Sequence, residues 1–244
     1  MEQRRSDEIS LRAIGGLPIV EAGDDLGALV MAGLSAAGEA LVAGDVVVLA
    51  QKVVSKAEGR FVDLGTVTPS ARARAYAADC GKDPRLVELI LAESRAVLRC
   101  RPGVLVVEHR LGHVTANAGI DQSNVQAAPG EERVLLLPRD PDAGLAVVII
   151  DSVGRAWRRA TAGLALGVAG LPALLDRIGQ PDLFGRKLEI TQIGLADEIA
   201  AAASLLMGQA DEGRPLVRLR GLAWDQPASD SAALRRPLAE DLFR

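Results

Sequence analysis

The chain alternates between short, unbroken apolar runs and longer stretches in which apolar residues recur at helical spacing. The runs at residues 46–50 and 145–150 are rich in β-branched residues and predict buried strands. Helical spacing predicts longer helices at residues 24–41, 70–79, 85–94 and 196–207. Further short strands are predicted at residues 97–100, 104–108, 134–137, 188–193 and 216–219. The pattern therefore predicts a chain in which helices and strands are mixed.

The stretch 145–161 places an acid, a hydroxyl and several arginines directly after a buried strand. Asp151 and Ser152 carry the hard oxygen ligands that Mg²⁺ or Mn²⁺ prefers. Arginine can hold a phosphate or a carboxylate through two parallel hydrogen bonds, and three follow here, Arg155, Arg158 and Arg159. The alternative is a strand end with an Asp turn and the solvated start of a basic helix. The apolar run at 162–175 is too short to span a bilayer and predicts a buried helix or loop, in which Gly163, Gly167 and Gly170 permit close packing.

Two lysines follow the other buried run. Residues 51–60 are predicted to continue as an extended segment, in which alternation places Lys52, Val54 and Lys56 on one face. Two lysines on one face, just beyond a buried strand, could hold phosphates. The alternative is a solvated edge strand, on which lysines discourage aggregation.

The segment 117–124 combines short polar side chains with a glycine, which predicts a loop with special backbone angles. Asp121 and Asn124 either face one ligand across a turn or form an Asx turn, and the residues alone do not separate these alternatives. His109 and His113 precede this loop in a predicted hairpin. A zinc site is not expected there because no third ligand accompanies them.

Composition narrows the classes of partner. The net charge of −4 and an aromatic content of only 2% argue against binding of nucleic acid. Two cysteines make no disulfide framework, and the charged N-terminal residues contain no apolar signal segment, so we expect a cytoplasmic protein with no membrane partner. The length of 244 residues suits one large domain or two small lobes. Residues from Ala223 onward predict a peripheral extension with a short helix at 237–243.

Several common catalytic motifs are missing from the sequence. It contains no P-loop, no Rossmann glycine fingerprint and no nucleophile elbow. The remaining chemistry-bearing residues are acids, a hydroxyl, lysines and arginines at predicted strand and loop ends. This set favours metal-assisted phosphoryl chemistry, without naming a substrate.

Six segments stand out in order along the chain: LPIV at 17–20, VVSKAEGR at 53–60, NAGIDQSN at 117–124, DSVGRAWRR at 151–159, DLFGRKLEIT at 182–191 and ADEIAAAASLLMGQ at 196–209. Taken together, they resemble the glutamate ligases of the deazaflavin coenzyme F-420 pathway. The resemblance implies an α+β fold with mixed, largely antiparallel sheets, two lobes and an intertwined homodimer. It implies a catalytic unit at 1–222, a C-terminal extension at 223–244 and no fused nitroreductase-like domain.

The resemblance also implies a reaction. GTP phosphorylates the terminal carboxylate of the glutamate-free coenzyme F-420-0, and the amine of L-glutamate displaces phosphate to form an amide. Further γ-linked glutamates are added by some members. Two divalent cations, Mg²⁺ or Mn²⁺, serve the site, with K⁺ as a further candidate cation.

Site residues follow from the same resemblance, position by position. Asp121 and Asp151 match ligands of a first metal, and Ser152 and Gln209 match the positions of a second. Position 209 is Glu in other members, and a neutral amide oxygen is a weaker ligand than a carboxylate. Nucleotide-contacting positions match Leu17, Pro18, Ile19, Val20, Gln51, Lys52, Lys56 and Asn124. We add Arg155 as a catalytic candidate, because with Arg158 and Arg159 it could receive substrate carboxylates or a phosphodiester.

Two other classes of function use the same residues. A metal-dependent phosphohydrolase would hydrolyse a phosphate ester or anhydride at the paired acids. A non-catalytic nucleotide- or coenzyme-binding protein would explain Gln209 as the sign of a lost metal ligand.

Overall fold

The computed structural model describes residues 8–142 and 147–241. Residues 145 and 146 of the predicted strand and residues 242 and 243 of the predicted terminal helix lie outside these ranges. No helix in the described part of the chain is long and apolar enough to cross a membrane.

Five α-helices form, and local capping chemistry explains where several of them begin and end. They are α1 (Leu26–Ala36), α2 (Gln51–Ala57), α3 (Ala71–Cys80), α4 (Pro84–Ala92) and α5 (Leu195–Met207) in the described residues. The side chains of Asp25, Ser70 and Asp83 each accept a hydrogen bond from a first-turn backbone N–H group. Gly81 ends α3 in the left-handed conformation. Four of these helices were predicted, although α1 ends before Leu41.

Twelve strands form within the described ranges. They are β1 (Ser10–Ile14), β2 (Val46–Ala50), β3 (Phe61–Asp63), β4 (Ser94–Arg101), β5 (Val104–His109), β6 (Val114–Ala116), β7 (Arg133–Leu135), β8 (Val147–Gly154), β9 (Thr161–Ala169), β10 (Leu175–Asp176), β11 (Gln192–Ile193) and β12 (Leu216–Arg220). The main sheet has the order β1-β12-β2-β8-β9. Only the β2–β8 pair is parallel among its pairings. The described structure is α+β with largely antiparallel sheets, as the resemblance implied.

The main sheet lies between helices on both faces. Val46 and Val48 pack with α5, whereas Val47 and Leu49 pack with α1 and α2. Successive strand residues point to opposite faces, so a strand buried on both faces must be apolar throughout. This requirement explains the unbroken apolar run of β2.

A second core forms beside this sheet. The three-stranded sheet β4-β5-β6 packs against α3 and α4 through a cluster that includes Val87, Ile90, Leu105 and Val107. The strands predicted at 97–100 and 104–108 pair as β4 and β5, and His109 donates its backbone N–H to the carbonyl of His113 across the next turn. Two small two-stranded sheets, β3-β7 and β10-β11, form from other described strands.

Several predictions of local structure were wrong. Residues 51–57 form helix α2 rather than an extended segment, and 161–169 form strand β9 rather than a helix or loop. No helix starts at 155, since the chain turns there between β8 and β9. The predicted strand at 188–193 is reduced to β11, the terminal helix to a short 3₁₀ turn at 238–240, and β1 and β3 were not predicted.

Candidate active site

The parallel pairing of β2 with β8 creates the site. Ala50 and Ile150 lie side by side at matching positions of the two strands. The residues that follow them, Gln51–Lys52 and Asp151–Ser152, therefore emerge at the same edge of the sheet. The carboxyl ends of neighbouring parallel strands are a common place for ligand binding in α/β sheets.

A cavity of about 560 Å³ opens at this edge. All the predicted nucleotide and metal positions line it. They are Leu17, Pro18, Ile19, Val20, Gln51, Lys52, Lys56, Asp121, Asn124, Asp151, Ser152 and Gln209. Residues from distant parts of the chain thus converge on one volume, which lies within the range of roughly 300–1,000 Å³ typical of small-molecule sites.

Lys52 and Asp121 form the polar centre of the cavity. Lys52 Nζ lies 2.7 Å from Asp121 Oδ2 and donates a hydrogen bond of 2.7 Å to Ser123 Oγ. Asp121 Oδ1 accepts from the backbone N–H of Ser123 at 2.7 Å, which forms the Asx turn that was one of the two alternatives, while Oδ2 remains directed at the lysine. Burial acts to raise the pKa of Asp121, but the hydrogen bonds from Lys52 and Ser123 outweigh it and hold that pKa below its usual value.

The loop that carries Asp121 is fixed by its backbone. Asp121 exchanges two backbone hydrogen bonds with Leu135 at the end of β7. Asn117, Ala118 and Asn124 have positive φ angles, which confirms the special backbone angles predicted for this segment. Asn124 Nδ2 donates to the carbonyl of Ala210 at 3.2 Å, which joins the loop to the segment after α5.

Asp151 carries a perturbed carboxyl group. Burial raises its pKa, and the nearby charge of Asp121 raises it further, against a hydrogen bond from the Ser152 backbone N–H at 2.8 Å. Two coupled carboxylates of which one is costly to ionise make an environment that a divalent cation would neutralise.

Ser152 has a different partner, because neighbouring strand residues point in opposite directions. Its hydroxyl donates to Gln209 Oε1 at 2.5 Å, just beyond the end of α5. In the described residues, no cluster of three or more His, Cys, Asp or Glu side chains is found. The candidate donors are therefore two carboxylates and a hydroxyl–amide pair, all oxygen, and this set fits hard cations such as Mg²⁺ or Mn²⁺.

Lys56 lies one helical turn beyond Lys52, so both lysines share a face of α2 although the predicted extended backbone was wrong. Burial, and secondarily the charge of Lys52, lowers the pKa of Lys56. An anionic ligand would offset the cost of keeping both ammonium groups charged. Gln51 is buried and accepts a hydrogen bond of 2.9 Å from the hydroxyl of Ser55, which fixes its side chain at the cavity wall.

The arginines after β8 lie elsewhere. Arg155 lines neither of the two described cavities, and its guanidinium donates to the carbonyl of Arg159 at 3.4 Å. Its Nε atom is buried without a hydrogen-bond partner in the described residues. Arg158 and Arg159 are exposed in the same turn.

Other lining residues were not predicted. Ser123 anchors Lys52, and the segment 210–215, including Arg214, forms one wall of the cavity. The Asp-Glu-Gly turn at 211–213 was visible in the sequence, but its position against the cavity depends on how β12 pairs with β2. The spacing of residues along the chain does not predict which strands pair.

The α+β fold brings two lysines and a set of oxygen donors together around one cavity, as in an enzyme with a buried polar site. Comparison then identifies the family. Residues 15–221 match the F420-0:Gamma-glutamyl ligase family, and the chain belongs to this family. The resemblance stated from the six sequence segments is confirmed.

Curated relatives extend over most of the chain. Coenzyme F420:L-glutamate ligase from Methanothermobacter thermautotrophicus is 46% identical over 256 aligned positions, which cover 97% of this chain and 99% of that protein. The protein of the same name from Methanopyrus kandleri is 41% identical and covers 95% of this chain and 100% of its own length. The relative from Archaeoglobus fulgidus is 42% identical, with 86% of each chain covered.

Proposed function

We propose that the protein is a GTP-dependent ligase that joins L-glutamate to coenzyme F-420-0 through an acyl phosphate. The names of the relatives support the ligase class, the glutamate and the coenzyme. The observation that carries the rest is the convergence of two lysines and two coupled carboxylates in one cavity.

The chemistry needs two displacements. A carboxylate oxygen of the coenzyme attacks the γ-phosphorus of GTP, the bond from that phosphorus to the β,γ-bridging oxygen breaks, and GDP leaves. The glutamate amine then attacks the acyl carbon, the bond from that carbon to the phosphate oxygen breaks, and the amine loses a proton as the amide forms. Activation is required because a carboxylate oxygen is a poor leaving group at neutral pH.

Each cavity residue has a proposed role. Lys52 and Lys56 hold the phosphates of the nucleotide, while residues 17–20, Gln51 and Asn124 contact the rest of it. Asp121 and Asp151 would hold one divalent cation, and Ser152 with Gln209 the other. When bound, such cations supply positive charge that screens the repulsion between the triphosphate and the incoming carboxylate. Arg155 is left out of this proposal because it lies outside the cavity lining.

The proposal includes a homodimer. The turn between β10 and β11 exposes Leu183 and Phe184 by 98% and 95%. Large apolar side chains presented together are typical of an interaction surface.

The test is mass spectrometry of products from the purified protein with F-420-0, L-glutamate, GTP and Mn²⁺. We expect a mass gain of one or more glutamyl units that disappears when GTP is omitted. GTP consumption without glutamate would favour a phosphohydrolase instead. Binding of GTP and coenzyme without turnover would favour the non-catalytic alternative, and either result would overturn the proposal.

A further inference from the structure

A second cavity, of about 290 Å³, lies beside the first. Asp151 lines both cavities, so the two meet at this residue of β8. The polar side chains of the second cavity are His113, Thr115, Asp151, Asp197, Arg235, Arg236 and Asp241. It therefore combines carboxylates with guanidinium groups next to the proposed nucleotide site.

A bulge in β9 explains two of these polar groups. Ile149 pairs with Gly167 and Ile150 with Ala165, which leaves Leu166 as the extra residue. His113 Nε2 donates to the carbonyl of Leu166 at 3.0 Å, and Asp197 Oδ1 accepts from the backbone N–H of Ala165 at 2.9 Å. These two side chains satisfy the backbone groups that the bulge frees, and they define the floor of the cavity.

Arg235 and Arg236 come from the C-terminal segment rather than from the sheet. The buried Ser231 anchors this segment, because its hydroxyl donates a hydrogen bond of 2.9 Å to Asp142 Oδ2. Arg235 donates to the carbonyl of Leu111 at 2.8 Å. A Cβ atom at Gly112 would lie 2.7 Å from Arg235 Cδ, so the arginine stem crosses directly over this glycine. The segment expected to be peripheral thus places paired guanidinium groups at the cavity mouth.

We propose that this second cavity holds the amino-acid substrate, with Arg235 and Arg236 receiving its carboxylates. This inference rests on the proposed ligase function. An α-amino dicarboxylate carries two anionic groups and one cationic group, which match two guanidinium groups and a wall bearing Asp197 and Asp241. Its amine would then lie on the side of the cavity that Asp151 shares with the phosphate site.

The coenzyme also has a carboxylate, but the cavity favours the amino acid. Its volume of about 290 Å³ is at the lower end of small-molecule sites and too small for a tricyclic coenzyme with its side chain. Carboxylate side chains in the lining also suit a zwitterion better than a purely anionic group.

The test is a comparison of Arg236→Gln and Arg236→Lys with the wild type in the ligase assay. Arg236 is chosen because it is exposed at the mouth, whereas Arg235 also holds the hairpin carbonyl. We expect Arg236→Gln to raise KM for L-glutamate on the order of 10-fold or more, with KM for GTP and for the coenzyme unchanged. Arg236→Lys should recover part of the loss. Arg74→Gln, an exposed arginine on α3, is the matched control and should have no effect.

Equilibrium dialysis with labelled L-glutamate in the presence of GDP gives a readout that needs no turnover. Binding to the wild type that is lost in Arg236→Gln supports the subsite. Absent binding, or binding that survives the substitution, would overturn it even if the wild type is an active ligase. A rise in KM for the coenzyme alone would assign the arginines to the acceptor carboxylate and would also overturn it. A wild type without ligase activity would instead contradict the proposed function.

Discussion

At the scale of single residues, Asp151 carries a carboxyl group whose ionised form is disfavoured by its surroundings. Burial raises the pKa of its carboxyl, and Asp121 adds a like charge nearby. Asp121 itself is compensated by Lys52. The sheet therefore places a carboxyl group that is costly to ionise at the edge that faces both cavities. Such an arrangement is more typical of function than of stability.

The first prediction concerns Asp151→Asn, which keeps the shape of the side chain and removes its charge. We expect turnover to fall on the order of 100-fold or more, while the cation-free protein stays folded. A raised pKa in the folded state means that ionisation disfavours folding, so wild-type stability falls as pH rises through the interval between the unfolded and folded pKa values. The melting temperature of the variant, measured in a chelator, should therefore equal or exceed that of wild type at neutral pH. Unfolding of the variant in circular dichroism would make Asp151 a structural residue instead.

The second prediction concerns Gln209, whose amide oxygen accepts the hydroxyl hydrogen bond of Ser152. A carboxylate at this position is a stronger ligand for a hard cation than a neutral amide. We expect Gln209→Glu to lower the Mn²⁺ concentration needed for half-maximal activity by about 10-fold. Gln209→Ala serves as the opposite control and should raise that concentration. An unchanged Mn²⁺ dependence in both variants would remove position 209 from the cation site.

At the scale of elements, the sequence pattern predicted correctly that Lys52 and Lys56 share a face, but it did not predict the helical conformation of α2. The segment after β2 was predicted to be extended, but Val53 and Val54 pack against the sheet as parts of a helix. Local β propensity was overridden by tertiary packing. The lysines nevertheless remain on one side, because positions four apart share a helix face and positions 52 and 56 also share a strand face.

Strand β9 shows a different source of error. Its small residues and glycines are typical of a closely packed helix. In the structure they instead allow β9 to pack closely against α5 and against the chain that precedes β8. A Cβ atom at Gly163 would lie 2.5 Å from the carbonyl oxygen of Ala200, and one at Gly167 would lie 1.9 Å from that of Pro141. The glycine requirement was visible in the sequence, but the neighbour that imposes it was not.

The third prediction follows from this packing. Gly163→Ala should lower the free energy of unfolding by about 1–3 kcal/mol, because α5 must shift to admit the added methyl group. Gly154→Ala, in the paired strand β8, has open space around the added atom and should change that free energy by less than about 0.5 kcal/mol. Urea unfolding monitored by circular dichroism measures both. Equal effects of the two substitutions would contradict the close contact of β9 with α5.

At the scale of the whole molecule, most of the longer elements and the candidate residues of the main cavity could be predicted from the sequence, whereas the pairing of the elements could not. The apolar runs of β2 and β8 were evident, but their parallel alignment, which brings Lys52 and Asp151 to one edge, joins residues about a hundred positions apart. The C-terminal segment was considered peripheral from its composition. Its arginines meet the hairpin at Gly112 only through tertiary contacts, so local patterns could not reveal the second cavity.

The last prediction concerns association of two copies of the chain. Asp182 accepts hydrogen bonds from the backbone N–H groups of Phe184 and Arg186, so the turn that carries Leu183 and Phe184 is held in a defined conformation. An ordered turn that exposes adjacent Leu and Phe side chains almost completely is costly in water unless another surface covers them. We therefore expect the wild type to elute as a dimer in size-exclusion chromatography with light scattering. The double substitution Leu183→Glu and Phe184→Glu should shift it to the mass of a monomer without loss of the circular dichroism spectrum.

Leu205→Glu provides the control for this experiment, because Leu205 is an exposed leucine on α5, with 84% of its surface accessible, and lies outside the turn. A general effect of added negative charge would dissociate both proteins, whereas a contact through the turn would dissociate only the double variant. A monomeric wild type would contradict the homodimer itself. A double variant that remains dimeric would place the interface on another surface, and the exposed turn would then need a different partner.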